Sequence, residues 1–103
     1  MIVVYVTFPS LESAKALSET VLKARLVACA NIFSPHTSLY WWEGEIQNAQ
    51  EVAVLYKTRA DVFETLQSAL KAGHPYECPC IVCWPLEQGN PEFLQWIEAE
   101  TQI

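Results

Sequence analysis

Residues 2–8 form an unbroken run of β-branched and aromatic side chains, which predicts a buried strand. Pro9 and Ser10 punctuate it, and Ser10 is a fair helix N-cap. From there Leu11, Ala14, Leu17, Val21 and Leu22 recur at helical spacing, with Glu19 four residues before Lys23, in the favourable order. This helix should end near Arg25. Residues 27–33 read as a second strand, followed by Pro35. The dense β-former run 38–43 carries Tyr40, Trp41 and Trp42. Gly44 suits a turn, and 45–47 reads as a short return strand. A separate strand is expected over 51–58, with Val52, Val54 and Tyr56 on one face and Ala53, Leu55 and Lys57 on the other. A helix over 61–72 lines up Val62, Phe63, Leu66, Ala69 and Leu70, and Gly73 is a natural stop for it. Residues 80–86 predict the next strand. Asn90-Pro91-Glu92 then opens a closing helix with Phe93, Leu94 and Ile97 on its apolar face.

The order β-α-β-β-α-β, with an added C-terminal helix, predicts an α+β, ferredoxin-like domain with two helices on one face of an antiparallel sheet. The middle hairpin is longer than such a sheet needs. Its aromatic overhang either pairs with a neighbouring subunit or packs into the core. At 103 residues the chain is read as a single domain, 1–103. Four Trp, four Tyr and four Phe are more than so small a core hides, so some apolar surface is expected to meet another subunit.

A net charge of −6 with only six Lys plus Arg argues against nucleic acid and anionic membranes as partners, and mildly favours cations. The start, Met1 to Val6, reads as a strand rather than a signal peptide, and no stretch is long and apolar enough to span a bilayer. Cys29, Cys78, Cys80 and Cys83 then read as reduced thiols, and the expected location is cytoplasmic.

The candidate chemistry centres on His74-Pro75-Tyr76-Glu77, with Pro79 just beyond. Pro75 biases His74 out of the helix, so these groups sit on a rigid loop. His74 and Glu77 are candidate metal ligands, imidazole for copper or zinc and carboxylate as a hard oxygen. The competing reading is that they hydrogen-bond locally and hold the loop's shape. Cys78 and Cys80 point to one side if extended, whereas Cys83 has the opposite parity. They are either soft ligands or small buried hydrophobes. Cys29, in an apolar strand, reads as a small core residue. Trp42, Lys57, Tyr76 and Glu51 are candidates to line a cleft between subunits, the lysine greeting a small anion; alternatively Lys57 pairs with a carboxylate. His36 is given no role. There is no Gly-rich phosphate loop, G-x-S-x-G or H-E-x-x-H, and a Cys–His pair would lack oxyanion donors, so no enzyme is expected.

Several segments together resemble the CutA divalent-cation tolerance proteins. They are Leu26-Val27-Ala28-Cys29-Ala30-Asn31-Ile32, Ser38-Leu39-Tyr40-Trp41-Trp42-Glu43-Gly44, Glu51 with Lys57-Thr58, His74-Pro75-Tyr76-Glu77-Cys78-Pro79, and Gly89-Asn90 with Leu94-Gln95-Trp96-Ile97. They occur in order across essentially the whole chain. The resemblance implies a ferredoxin-like homotrimer, similar in architecture to PII signalling trimers, with a role in tolerance of copper and other divalent cations. It implies no enzymatic activity; mammalian members are linked to anchoring of acetylcholinesterase. Some bacterial members carry a Cys where this chain has Val6 and a second His where it has Gly73, so of that proposed copper-ligand set only His74 remains. Cys78, Cys80 and Cys83 stand where the family more often has aliphatic, acidic or small residues. The expected ligands of copper or another divalent cation are therefore His74 first, Glu77 second, and the Cys78 and Cys80 thiols as substitutes. The alternative is a PII-like signalling or scaffold trimer that takes a small anion or a partner protein in clefts lined by Trp42, Lys57 and Tyr76.

Overall fold

In a computed structural model, which describes residues 1–102, the chain runs β1 (Ile2–Phe8), α1 (Leu11–Lys23), β2 (Cys29–Ile32), β3 (His36–Trp42), β4 (Glu45–Thr58), α2 (Phe63–Gly73), β5 (Ile81–Pro85) and α3 (Pro91–Glu100), with a 3-10 turn at Ala60–Val62 leading into α2. The strands pair antiparallel in the order β2-β4-β1-β5, and β3 joins the sheet through β4 alone. This is the ferredoxin-like α+β arrangement. One face of the sheet carries the helices. There Val4, Val6 and Phe8 of β1 and Val54 and Tyr56 of β4 meet Ala14 and Val21 of α1 and Leu66 and Leu70 of α2, all essentially inaccessible to solvent.

The main correction to the sequence reading concerns β4. It is one strand of 14 residues, not a short return strand followed by a separate one. Gln47, Asn48 and Gln50 are poor strand formers, but β3 supplies a full ladder opposite them, from His36↔Glu51 to Trp42↔Glu45. The two-residue turn Glu43-Gly44 has φ of 50° and 80°, the left-handed pair that matches hairpin twist. The C-terminal half of β4 pairs instead with β2, from Cys29↔Lys57 to Ile32↔Val54. The β3–β4 overhang contributes to a long axis of 44 Å and leaves Leu39, Trp41 and Ile46 exposed.

Other boundaries shift for local reasons. Ser10 caps α1 by accepting from the Ser13 N–H, as expected. The helix ends earlier, at Lys23, because Arg25 turns left-handed (φ 62°) and the Arg25 and Leu26 N–H groups bond back to the Leu22 and Val21 carbonyls. Leu26 and Val27 are buried beneath that turn, so β2 starts only at Cys29. Gly73 is the last residue of α2 rather than a left-handed cap; a Cβ there would lie 2.6 Å from Leu17 Cδ1, so it serves the approach of α1. Pro75 ends the helix, holding His74 extended at φ −79° and ψ 138°. On α3 only Ile97 is fully buried, while Phe93 turns outward beside Trp96 with ring centroids 5.4 Å apart.

Polar groups within the core are paired. Ser18 and Tyr56 share a hydroxyl–hydroxyl bond of 2.8 Å, and Thr58 Oγ1 donates to the Leu26 carbonyl at 2.7 Å. Burial pushes the Tyr56 phenol up to about 12. Tyr56→Phe should cost about 1–2 kcal/mol, because it strands the buried Ser18 hydroxyl; urea denaturation of the variant measures it, and no loss would mean Ser18 finds another partner.

The second face of the sheet is covered by neither α1 nor α2, and α3 reaches it at Lys57 through Phe93. Cross-strand register sets Val82, Tyr5, Leu55 and Asn31 in one row and Trp84, Val3, Lys57 and Cys29 in the next. Val82 and Trp84 are 51% and 47% exposed. Cys29 thus lies half-buried on this open face, not in the core.

Candidate functional site

His74 enters the structure as a framework residue. Its ring is buried (9% exposed) and stacks on Phe8, with centroids 4.6 Å apart and planes 19° from parallel. Nε2 lies 2.7 Å from the Thr7 carbonyl oxygen, which only accepts, so Nε2 carries the proton. Nδ1 is then bare, and it accepts the Tyr76 N–H at 3.0 Å. Both nitrogens are engaged in the neutral ring. Burial lowers its pKa, opposed by the Thr7 carbonyl and the charge of Glu51. The expected first metal ligand therefore has its one lone pair committed to the loop backbone, the local-bonding reading kept open above. A cation at His74 requires breaking that bond.

The same loop shapes a cleft. Tyr76 leaves the loop toward β4, and its hydroxyl donates to Glu51 Oε2 at 2.8 Å. Glu51 sits at the start of the buried half of β4 and is only 8% exposed. Burial first, and the bond to Glu51 second, hold the Tyr76 phenol well above its usual range. Around this pair opens a cleft of about 270 Å³, lined by Thr7, Tyr40, Trp42, Glu51, Tyr76, Glu77, Cys78 and Cys80. Cys78 and Cys80 share its wall, although Cys78 lies in a bend ahead of β5 rather than in an extended run. Cys83 does not; it pairs with Val4 on the helix side of the sheet edge. The Cys80 thiol is pushed up by burial and then by the Glu51 charge. All four cysteines are free thiols.

Lys57 is not in this cleft. Its Nζ donates to Asn31 Oδ1 and stands 5.9 Å from the Phe93 ring centroid, on the open face. Glu51 and Lys57 have the same parity, yet six residues of strand separate them by roughly 20 Å. Trp42, Tyr76 and Glu51, expected in a cleft between subunits, line this cleft within the single chain, together with Tyr40 and Thr7, which the sequence reading passed over. Tyr40 was within reach, since it shares the parity of Trp42 on β3. Thr7 becomes a neighbour only through the fold.

As a metal centre the cleft is partial. Thiols and carboxylates, the donors of soft and hard cations respectively, share its wall. Among the described residues, however, no three His, Cys, Asp or Glu side chains converge on one point. Glu77 and Cys78 are exposed, so their side chains are not held in place by packing.

Comparison with known proteins follows the same lines. A family model described as CutA1 divalent ion tolerance protein matches residues 2–100. The chain is 44% identical over 102 residues to a divalent-cation tolerance protein CutA of Pyrococcus horikoshii, covering 99% of each chain. It is 45% identical over 99 residues to the Archaeoglobus fulgidus protein of that description, covering 96% of each. The crystal structure of CutA1 from Pyrococcus horikoshii superposes with a TM-score of 0.95 at 43% identity, covering all of both chains.

Proposed function

The chain belongs to the CutA1 divalent ion tolerance family, and on that premise we propose that it contributes to metal tolerance by binding cations, copper foremost, in the cleft beside Glu51. The carrying observation is that the thiols of Cys78 and Cys80 line one cleft with the Glu51 and Glu77 carboxylates. Thiolates select Cu(I) and Zn, and Cu(I) is content with two of them. The three-ligand cage absent from the single chain is therefore no obstacle for cuprous copper. Glu77, on the same exposed loop, is the next donor. His74 acts through the loop: it fixes the backbone that presents Tyr76, Glu77 and Cys78.

The protein works in this reading as a binder and not as an enzyme, and as a homotrimer. The face opposite α1 and α2, with Val82, Trp84 and Tyr5, and the protruding β3–β4 hairpin supply the apolar surface that such an assembly buries. Free, exposed thiols suit a reducing compartment, which supports a cytoplasmic location. The anion-binding alternative is weakened by the position of Lys57, which stands outside the cleft.

The test is an anaerobic Cu(I) competition against a chromogenic chelator, with a parallel zinc titration by calorimetry. The Cys78→Ser, Cys80→Ser double variant should lose copper affinity by at least about tenfold, the loss of thiolate donors being decisive for a soft ion. His74→Gln should weaken it less than the loss of both thiols does, since the ring is not a donor in this site but positions the loop that carries Cys78. Unchanged affinity in the double serine variant overturns the assignment.

A further inference from the structure

We propose that this cleft is also a binding site for an organic ammonium ion, with the Glu51 carboxylate as counter-charge and Tyr40, Trp42 and Tyr76 as its aromatic wall. The sign comes from the lining. It holds two carboxylates, Glu51 and Glu77, and no lysine or arginine. The lysine that the sequence suggested for an anion is spent on Asn31 and Phe93 at the far end of β4.

Glu51 is built for the role. It is buried, and its Oε2 is held by the Tyr76 hydroxyl at 2.8 Å. Among the described residues no partner meets Oε1, which leaves an acceptor for a donor or cation entering the cleft.

The aromatic side chains decide between kinds of cation. A small, strongly hydrated metal ion gains little from Tyr40 and Trp42. A weakly hydrated alkylammonium gains both the ring quadrupoles and apolar burial. The cleft volume of about 270 Å³ suits a ligand of several heavy atoms. The proposal does not rest on the copper reading, because it uses the Glu51 and aromatic wall rather than the thiols.

The experiment titrates choline into the assembled protein, followed by calorimetry and tryptophan fluorescence, beside its uncharged isostere 3,3-dimethyl-1-butanol. Choline should bind saturably and at least about tenfold more tightly than the isostere, as a charge-reading site demands. Glu51→Gln keeps a hydrogen-bond acceptor for Tyr76 and removes the charge; it should weaken choline about tenfold. Trp42→Ala, at a 47% exposed position that spares the core, should weaken it several-fold. Copper affinity is read on the Cys78→Ser, Cys80→Ser variant and choline affinity on Glu51→Gln and Trp42→Ala, so the copper reading and this one fail separately. Equal binding of the isostere, no saturation by about 50 mM choline, or undiminished binding in folded Glu51→Gln each overturns the proposal.

Discussion

His74→Ala destabilises the fold by about 2–4 kcal/mol, the range of a buried ring lost together with its hydrogen bonds. The substitution removes the stack on Phe8, leaves the Thr7 carbonyl without the Nε2 proton and frees the Tyr76 N–H. Denaturant unfolding measures the loss. An effect below about 0.5 kcal/mol would place the residue among ordinary surface positions and remove its framework role. The same residue sets a pH dependence. Burial lowers the His74 pKa from its ordinary 6.5, so the unfolded chain takes up a proton at a higher pH than the folded one. The stability of the neutral ring is therefore full above pH 6.5 and is lost as pH falls from there through the lowered folded value. His74→Gln should lack this component of the pH profile between those limits. A profile identical to that of the unmodified protein would mean that the folded ring is not held neutral.

Val82→Asp should convert the proposed trimer into single chains of 11.7 kDa. Val82 is 51% exposed in the isolated chain and opposes Tyr5 at the edge of the face opposite α1 and α2. In a lone subunit the aspartate remains in water, and the cost is within about 0.5 kcal/mol. In an assembly that covers this face, the introduced carboxylate is buried without a partner, which costs several kcal/mol per chain and is repeated in every copy. Sedimentation of the variant reports the mass, and circular dichroism reports that the subunit is still folded. A variant that remains assembled with unchanged affinity would move the seam away from β5.

The layout of the fold was legible because strand and helix periods are local. The alternation of Val52, Val54 and Tyr56 against Ala53, Leu55 and Lys57 placed both faces of β4 correctly. What misled was tertiary. Gln47, Asn48 and Gln50 look like the end of a strand until β3 is laid beside them. His74 looks like a ligand until the Thr7 carbonyl, 67 residues away, accepts from its Nε2–H and the Tyr76 N–H occupies Nδ1. Lys57 looks like a cleft residue until strand length is multiplied out. The site was legible as a list of residue types; its membership depends on distances that no spacing along the chain encodes.

The Glu43-Gly44 turn also bears on the order in which the molecule is made. It joins β3 to β4 through a loop that closes at little entropic cost, whereas even the nearest pair of the β1–β4 ladder, Phe8 with Val52, spans most of the first half of the chain. The hairpin is thus the cheapest ladder to begin, and it begins with Leu39, Trp41 and Ile46 bare. During synthesis that ribbon is a sticky edge with no neighbour to cover it. Gln47, Asn48 and Gln50, which weaken the strand on paper, interrupt its run of apolar side chains and act as gatekeepers against premature aggregation.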